Sequence, residues 1–261
     1  MADASRTGDW AQRLTWAALA LSIGGVAAAL IAAVGSGAGV WPFGLGFGIL
    51  RYAFYASVAG GVLAIVAFLL SRRSGVRMAG LNIIAFVVAL LFAVYLIGQV
   101  TTARSVPAIH DASTDLTDVP QFSALTVRAD NLEKIPDQDR PELAALDPGN
   151  RWKALHRNAY GDLRTLRLPT GVADTVRRVE ALARTRGWDI AKVDAQAGTV
   201  EATATTRFFR FKDDVVVRVR PDPARAGASI VDMRSISRVG GSDVGVNAAR
   251  IRAFLDDLRA A

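Results

Sequence analysis

The sequence predicts a membrane-anchored α+β protein: a three-helix transmembrane region, then a C-terminal domain in which an antiparallel sheet carries helices on one face. Three observations predict it. Charge is distributed unevenly: six arginines and two aspartates precede residue 104, whereas 25 basic and 22 acidic residues lie from residue 104 onward. Three runs of about twenty apolar residues fill the first part, long enough at 1.5 Å per residue to cross a hydrocarbon core. From residue 161 onward, short alternating segments and two segments of helical period succeed one another. The 261 residues are 51% apolar and 21% charged, with a mean hydropathy of +0.27, too apolar for disorder and too charged for a wholly membrane-embedded chain. No cysteine is present, which excludes disulfides, thiolate metal sites and a thiol nucleophile.

The division is therefore 1–103 and 104–260. Residues 14–34, 52–70 and 79–100 carry no charge and read as spans. Tyr52 and Tyr55 with Arg51 mark an end of the second, where aromatic rings sit at headgroup level. Buried helices of a soluble protein would show a polar face, and these runs show none. The first run exceeds the apolar core of a signal peptide. Arg6, Arg13, Arg72, Arg73 and Arg77 fall on one side of the membrane and Arg51 and Arg104 on the other. Positive charge resists translocation, so the N-terminus is expected in the cytoplasm and the C-terminal domain outside it. No ionisable side chain lies within a span, which argues against a transporter or channel. Small residues recur every four positions: Ala20, Gly24, Ala28 and Ala32; Gly25, Ala29 and Ala33; Ala56, Gly60 and Ala64. They suit close helix approach, either inside the bundle, which is the favoured reading, or between copies of the chain. Gly44, Gly46 and Gly48 lack the strand and helix context of a dinucleotide fingerprint. With Trp41, Phe43 and Phe47 they read as an interfacial turn.

Residues 104–160 hold Pro107, Pro120, Pro136, Pro141 and Pro148 and no sustained period, and are expected to be an extended connector. Within it His110, Asp111, Asp115 and Asp118 offer metal-ligand chemistry. Calcium and zinc templates both go unmet, so turn and cap chemistry is the expected role, and no metal or other cofactor is predicted.

The C-terminal order is strand (162–169), helix (174–186), four strands (188–194, 199–208, 214–220, 229–237) and helix (244–259). Thr170 and Asp174 are candidate caps of the first helix and Gly187 its stop; Ser242 or Asp243 caps the second. An antiparallel meander with both helices on one face satisfies this order. Thr203, Thr205, Arg218, Arg220, Asp232 and Arg234 alternate with apolar residues and give a charged sheet face. It is either an ion-paired surface or a binding face for an anionic or polar ligand, with Arg218 and Arg234 as forks. Asp213 and Asp214 are adjacent in a strand and point to opposite faces, which disfavours joint acid-base work.

The densest run of polar chemistry is 232–251, where Ser235, Ser237, Arg238, Ser242, Asp243, Asn247 and Arg250 surround Gly240 and Gly241 at a strand-to-helix turn. Such a turn can present N–H groups to a phosphate or carboxylate. A serine nucleophile would need a base, and His110 and His156 are both remote in sequence. Arg218, Arg234, Ser235, Ser237, Arg238, Ser242, Asp243, Asn247 and Arg250 are thus candidate binding residues. Asp213, Asp214 and Asp232 are candidate structural or ion-pairing residues, and no catalytic residue is assigned.

The segments IHDASTDLTDVPQF, RFFRFKDDVVVRVR and VDMRSISRVGGSDVGVNAARIRAFL resemble the marked segments of the DUF1499 family of bacterial and plastid proteins, over about residues 105–258. The resemblance implies that the polar positions of 213–250 matter, without an activity. The leading expectation is a multi-pass protein of the bacterial cytoplasmic membrane that displays an extracytoplasmic, non-catalytic binding or structural module. Membrane lipid and a protein or envelope component are its expected partners. The alternative is an enzyme acting on an anionic envelope substrate through the 232–250 cluster. Near-balanced charge after residue 104 excludes a nucleic-acid partner.

Overall fold

The structure, a computed structural model, describes residues 2–133, 135, 136 and 140–260, and it separates into two compact units. The first holds the chain up to Thr101 together with Arg207–Arg210; the second holds the remainder.

In the first unit α1 (Ala2–Gly37), α2 (Phe43–Ser74) and α3 (Ala79–Ser105) are three helices long and apolar enough to cross a membrane. They contain the expected spans and continue past them, because polar residues at the water-facing ends prolong a helix as readily as they interrupt a hydrophobic run. Arg72 and Arg73 occupy the last turn of α2, where cations meet the negative end of the helix dipole, and Gly75 closes it with φ 74°. One expectation is corrected here. Gly44, Gly46 and Gly48 lie inside α2, and the turn is confined to residues 38–42, because Pro42 supplies an extended residue at the helix start and the glycines simply follow into the helix.

Small residues bring the helices together. A β-carbon at Gly25 would lie 2.7 Å from the Ala53 carbonyl oxygen, and one at Gly60 would lie 2.6 Å from the Ser22 nitrogen, so both glycines are fixed by backbone contact between α1 and α2. A β-carbon at Gly61 would lie 2.9 Å from the β-carbon of Ala89 in α3, so there a small side chain sets the approach. The row of Ala20, Gly24 and Ala28 faces outward and, with Ile49, Tyr52 and Ala56, lines a shallow apolar groove of about 350 Å³. The structure thus puts the Gly25 and Gly60 rows to intramolecular use. Phe47 near the start of α2 stacks on Phe209, ring centroids 4.8 Å apart.

The second unit is an α+β domain. Strands β1 (Asp111–Ser113), β2 (Leu166–Leu168), β3 (Asp189–Asp194), β4 (Thr199–Thr205), β5 (Lys212–Pro221) and β6 (Ser229–Ser237) form one antiparallel sheet. The order is β1-β6-β5-β4-β3, and β2 lies against the same edge of β6 as β1, opposite residues 229–231 where β1 lies opposite 234–236. Helices α6 (Val172–Thr185) and α7 (Val246–Ala260) pack on one face, α6 over β3, β4 and β5 and α7 over β6, β1 and β2. Alternation places Val215, Val217, Val219, Val231 and Met233 beneath them with Phe254, Ile251 and Leu258 of α7, all buried. Each such side chain contributes about 1.5–3 kcal/mol through burial. Trp188 stacks on Phe254 at 5.0 Å and seals the edge of this core.

Several boundaries move. The strand expected over 162–169 contracts to β2, and that over 199–208 ends at Thr205. Helix α6 has Gly171 as N-cap with no side-chain cap, while Thr170 Oγ1 is engaged with Thr175 Oγ1. The larger correction concerns the connector. It holds β1, a short helix α4 (Pro141–Ala144) and a thirteen-residue helix α5 (Pro148–Tyr160). Asp147 caps α5 by accepting from Asn150 N–H and Pro148 opens it, so two of the five prolines that suggest an irregular segment, Pro141 and Pro148, are helix starters here. Trp152, Leu155, His156 and Tyr160 form its buried stripe.

Because the core of the second unit, among the described residues, runs from Val106 to Leu258, a fragment of residues 105–261 is expected to fold without lipid or detergent. Circular dichroism of that fragment should show one cooperative thermal transition; a gradual loss of signal would show that the division is wrong.

Candidate functional site

The candidate residues occupy the two faces of β5 and β6 and the turn into α7, and each face has its own polar layer. On the face under α7, Asp213 pairs with Arg250 at 2.5 Å. Ser235 donates its hydroxyl to Asn247 Oδ1 at 2.7 Å and accepts from Arg250 Nη1 at 2.8 Å. The Asn247 amide donates to Ser237 Oγ and to the His110 carbonyl. These groups are almost completely withdrawn from water, and they tie the start of α7 to β6 and to the residue before β1.

The turn itself is filled from within. Gly240 has φ +91° and Gly245 φ +79°, backbone that favours glycine. The carboxylate of Asp243 accepts from the N–H groups of Gly245 and Asn247, and Ser242 Oγ accepts from Val244 N–H. The N–H groups of Val244, Gly245 and Asn247 are therefore held by the chain's own side chains, and that of Val246 by the Asp243 carbonyl, where an anion would need them. Burial pushes the Asp243 carboxyl above its ordinary range despite those two hydrogen bonds. Arg128 closes the other side by donating to the Gly240 carbonyl at 2.6 Å.

On the opposite face the predicted charged layer is present, but it is covered. Residues 114–125 lie across it as a strap. Arg234 grips Asp111 as a two-pronged fork, Nε to Oδ1 at 3.0 Å and Nη2 to Oδ2 at 2.7 Å, also reaches the Pro120 carbonyl, and lies over the Phe122 ring. Asn131 supplies a further donor to Asp111. Asp232, fully buried, accepts from Arg218, Arg220, Thr114 and Thr165. Arg218 and Arg220 extend to Asp115 and Asp118 of the strap. The Arg218 charge beside Asp118 holds that carboxyl below its ordinary value. Arg238 forks onto Asp214 at 2.8 and 2.9 Å and donates to Thr203. Asp213 and Asp214 thus serve opposite faces.

Glu201 anchors the strap. Its carboxylate accepts from the N–H groups of Ser123, Ala124 and Leu125 and from the Ser123 hydroxyl, at 2.6–3.2 Å. Burial raises this carboxyl and the hydrogen bonds outweigh it, leaving its pKa below the ordinary value.

The segment His110–Asp118 is not a solvated turn throughout. Asp115 does make a local turn, accepting from Thr117 and Asp118 N–H, but His110 and Asp111 are buried, and Asp111 is in β1 because its side chain completes the Arg234 pair. Among the described residues, no group of three or more His, Asp or Glu side chains gathers to hold a metal. His156 is buried between Trp152 and Tyr160 and its Nε2 accepts from Ser113 N–H, while the Ser113 hydroxyl donates to the Asp115 carbonyl. Burial lowers its pKa to about 4.

Sequence reasoning singled out the arginines and serines of β6 and α7 together with the acids Asp213, Asp214 and Asp232, and missed the part played by Asp111 and Glu201. Both carry the strap, yet Asp111 reads from its neighbours as turn chemistry and Glu201 belongs to no local motif. The one available signal was Glu201 itself, an acid at an outward-alternating position between Val200 and Ala202.

The profile of the family described as Protein of unknown function (DUF1499) matches residues 111–258, more than half of the chain. No curated protein matches it.

Two outcomes follow from the pairing. Arg234→Ala leaves Asp111 charged, buried and without its fork, and should destabilise the 105–261 fragment by about 3–5 kcal/mol in chemical denaturation. The double variant Asp111→Leu/Arg234→Met should be less destabilised than that single one; the reverse order would show that the pair is not mutually dependent. For His156 the neutral form is the folded one. The unfolded chain takes up a proton below about pH 6.5 while the folded chain resists until about pH 4, so stability falls as pH is lowered through that window. Between pH 7 and 5 the loss should be about 2 kcal/mol. His156→Gln should flatten it, and an unchanged slope would assign the effect elsewhere.

Proposed function

Since the chain belongs to the DUF1499 family, whose description assigns no activity, and carries three helices fit to cross a membrane, we propose that it is a multi-pass protein of the bacterial cytoplasmic membrane. It displays a non-catalytic structural or binding module on the extracytoplasmic side. The observation that carries the non-catalytic reading is the internal commitment of the candidate residues. Arg218, Arg234, Arg238 and Arg250 are engaged by Asp232, Asp111, Asp214 and Asp213, the hydroxyls of Ser235 and Ser237 by Asn247, and the Gly245 and Asn247 N–H groups by the Asp243 carboxylate. An enzyme for an anionic substrate would need at least one fork or donor group aimed into an open cleft. These residues instead close the domain on itself. The extracytoplasmic placement is supported by five arginines flanking the spans on the side of the N-terminus against Arg51 and Arg104 on the other.

Two measurements test the two halves of this reading. A C-terminal reporter active only outside the cytoplasm should be active on the full chain, and a reporter signal confined to the cytoplasm overturns the orientation. Purified full-length protein should leave ester, phosphoester and peptide substrates intact. Turnover that disappears in Ser235→Ala or Asp243→Asn, with folding unchanged, would replace the structural reading by the enzymatic one.

A further inference from the structure

The turn between β4 and β5 reads Thr206-Arg207-Phe208-Phe209-Arg210-Phe211, three aromatic rings and two guanidinium groups in six residues. The paired network described above does not use it. Thr206 N–H donates to the Phe211 carbonyl and Phe211 N–H to Thr206 Oγ1, both at 2.8 Å, so residues 207–210 project as a closed loop. Arg210 sits at φ +52°, a conformation that costs a side-chain-bearing residue free energy and is unusual outside glycine. Phe208 is 48% exposed, with the Arg207 guanidinium 5.8 Å from its ring centroid. A phenylalanine at the exposed tip of a hairpin contributes nothing to the domain core and invites association.

We infer that this loop is a membrane-interface anchor, with Phe208 immersed at the headgroup–acyl boundary and Arg207 and Arg210 paired with anionic lipid headgroups of the bilayer that the chain spans. The composition is that of an interfacial segment, an apolar ring carried between cations, and each cation near an anionic surface adds to the attraction. Lys212 extends the same charge, and the acidic residues that follow, Asp213 and Asp214, are committed to Arg250 and Arg238. The occupant is available by connectivity. An odd number of spans puts the α1–α2 turn and everything after α3 on one side of the membrane, whichever side that is. Only residues 106–110 separate α3 from β1, a tether of at most about 18 Å when extended. Arg207–Arg210 group with the membrane helices, and Phe209 stacks on Phe47, itself half exposed near the start of α2. The inference rests on the spans and is independent of their direction and of the non-catalytic reading.

The absence of cysteine from the chain makes the test direct, since one introduced thiol is the only one labelled. Full-length Phe208→Cys, bearing a nitroxide, is reconstituted in phosphatidylcholine vesicles containing phosphatidylglycerol. Collision with oxygen and with a water-soluble nickel chelate is compared with the same label at Gln196, in the exposed turn at the other end of β4. The label at 208 should show a nickel-to-oxygen ratio severalfold lower than the label at 196, and Arg207→Ser or omission of phosphatidylglycerol should raise it. Equal ratios at the two positions overturn the inference. So does low access to both quenchers with spin–spin broadening, which would seat the loop against a second copy of the chain.

Discussion

A buried charge is tolerable only beside its partner, and in the second unit that constraint decides the path of a long stretch of chain. Asp111 and Arg234 are separated by 123 positions, and both lie out of water. Neither can be buried first. The sheet face that holds Arg218, Arg234 and Asp232 becomes a viable interior only when residues 111–125 have crossed it, bringing Asp111, Asp115 and Asp118 to the guanidinium groups and offering three N–H groups to Glu201. Coulombic pairing in such a place does little more than offset the cost of removing the charges from water. What it supplies is a single permitted arrangement, because any register that leaves one arginine unmatched is worse by several kcal/mol.

The same logic explains why a charge-rich segment reads so easily as a binding site. Arginine forks, clustered hydroxyls and a glycine turn at a helix start are what an anion site requires, and they are also what a domain requires to receive its own carboxylates. The two cases differ only in where the partner comes from. Here Asp243 occupies the helix start, Asp213 takes Arg250 on one face, and Asp214 takes Arg238 on the other. On the proposed reading, the polar positions of 213–250 matter because they build.

What was legible in the sequence is what local periodicity encodes. The three spans, the four-stranded meander and α6 and α7 each announce themselves within about twenty residues, by absence of charge, by alternation or by a stripe three and four apart. The charged face of β5 and β6 was legible for the same reason. Its cover was not, since Asp111 and Glu201 act across 76 or more positions and no window contains both ends of the contact. Helix α5 was hidden differently. Its polar residues and the prolines before it suggest a connector, and only Asp147-Pro148 followed by Trp152, Leu155, His156 and Tyr160 betrays the capped start and the buried stripe. The glycines after Pro42 misled in the opposite sense, since in a membrane helix glycine serves close packing more than chain reversal.

Amide hydrogen exchange at Ser123, Ala124 and Leu125 tests most directly whether the strap is an integral layer of the domain. All three N–H groups point at one buried carboxylate, so they should exchange as slowly as the β6 ladder opposite Asp111–Ser113, and Glu201→Ala should release them while the β4–β5 amides stay protected. Exchange of the three amides at the rate of an exposed loop in the unaltered protein would contradict the account, because the charged face would then be open to solvent and to ligands.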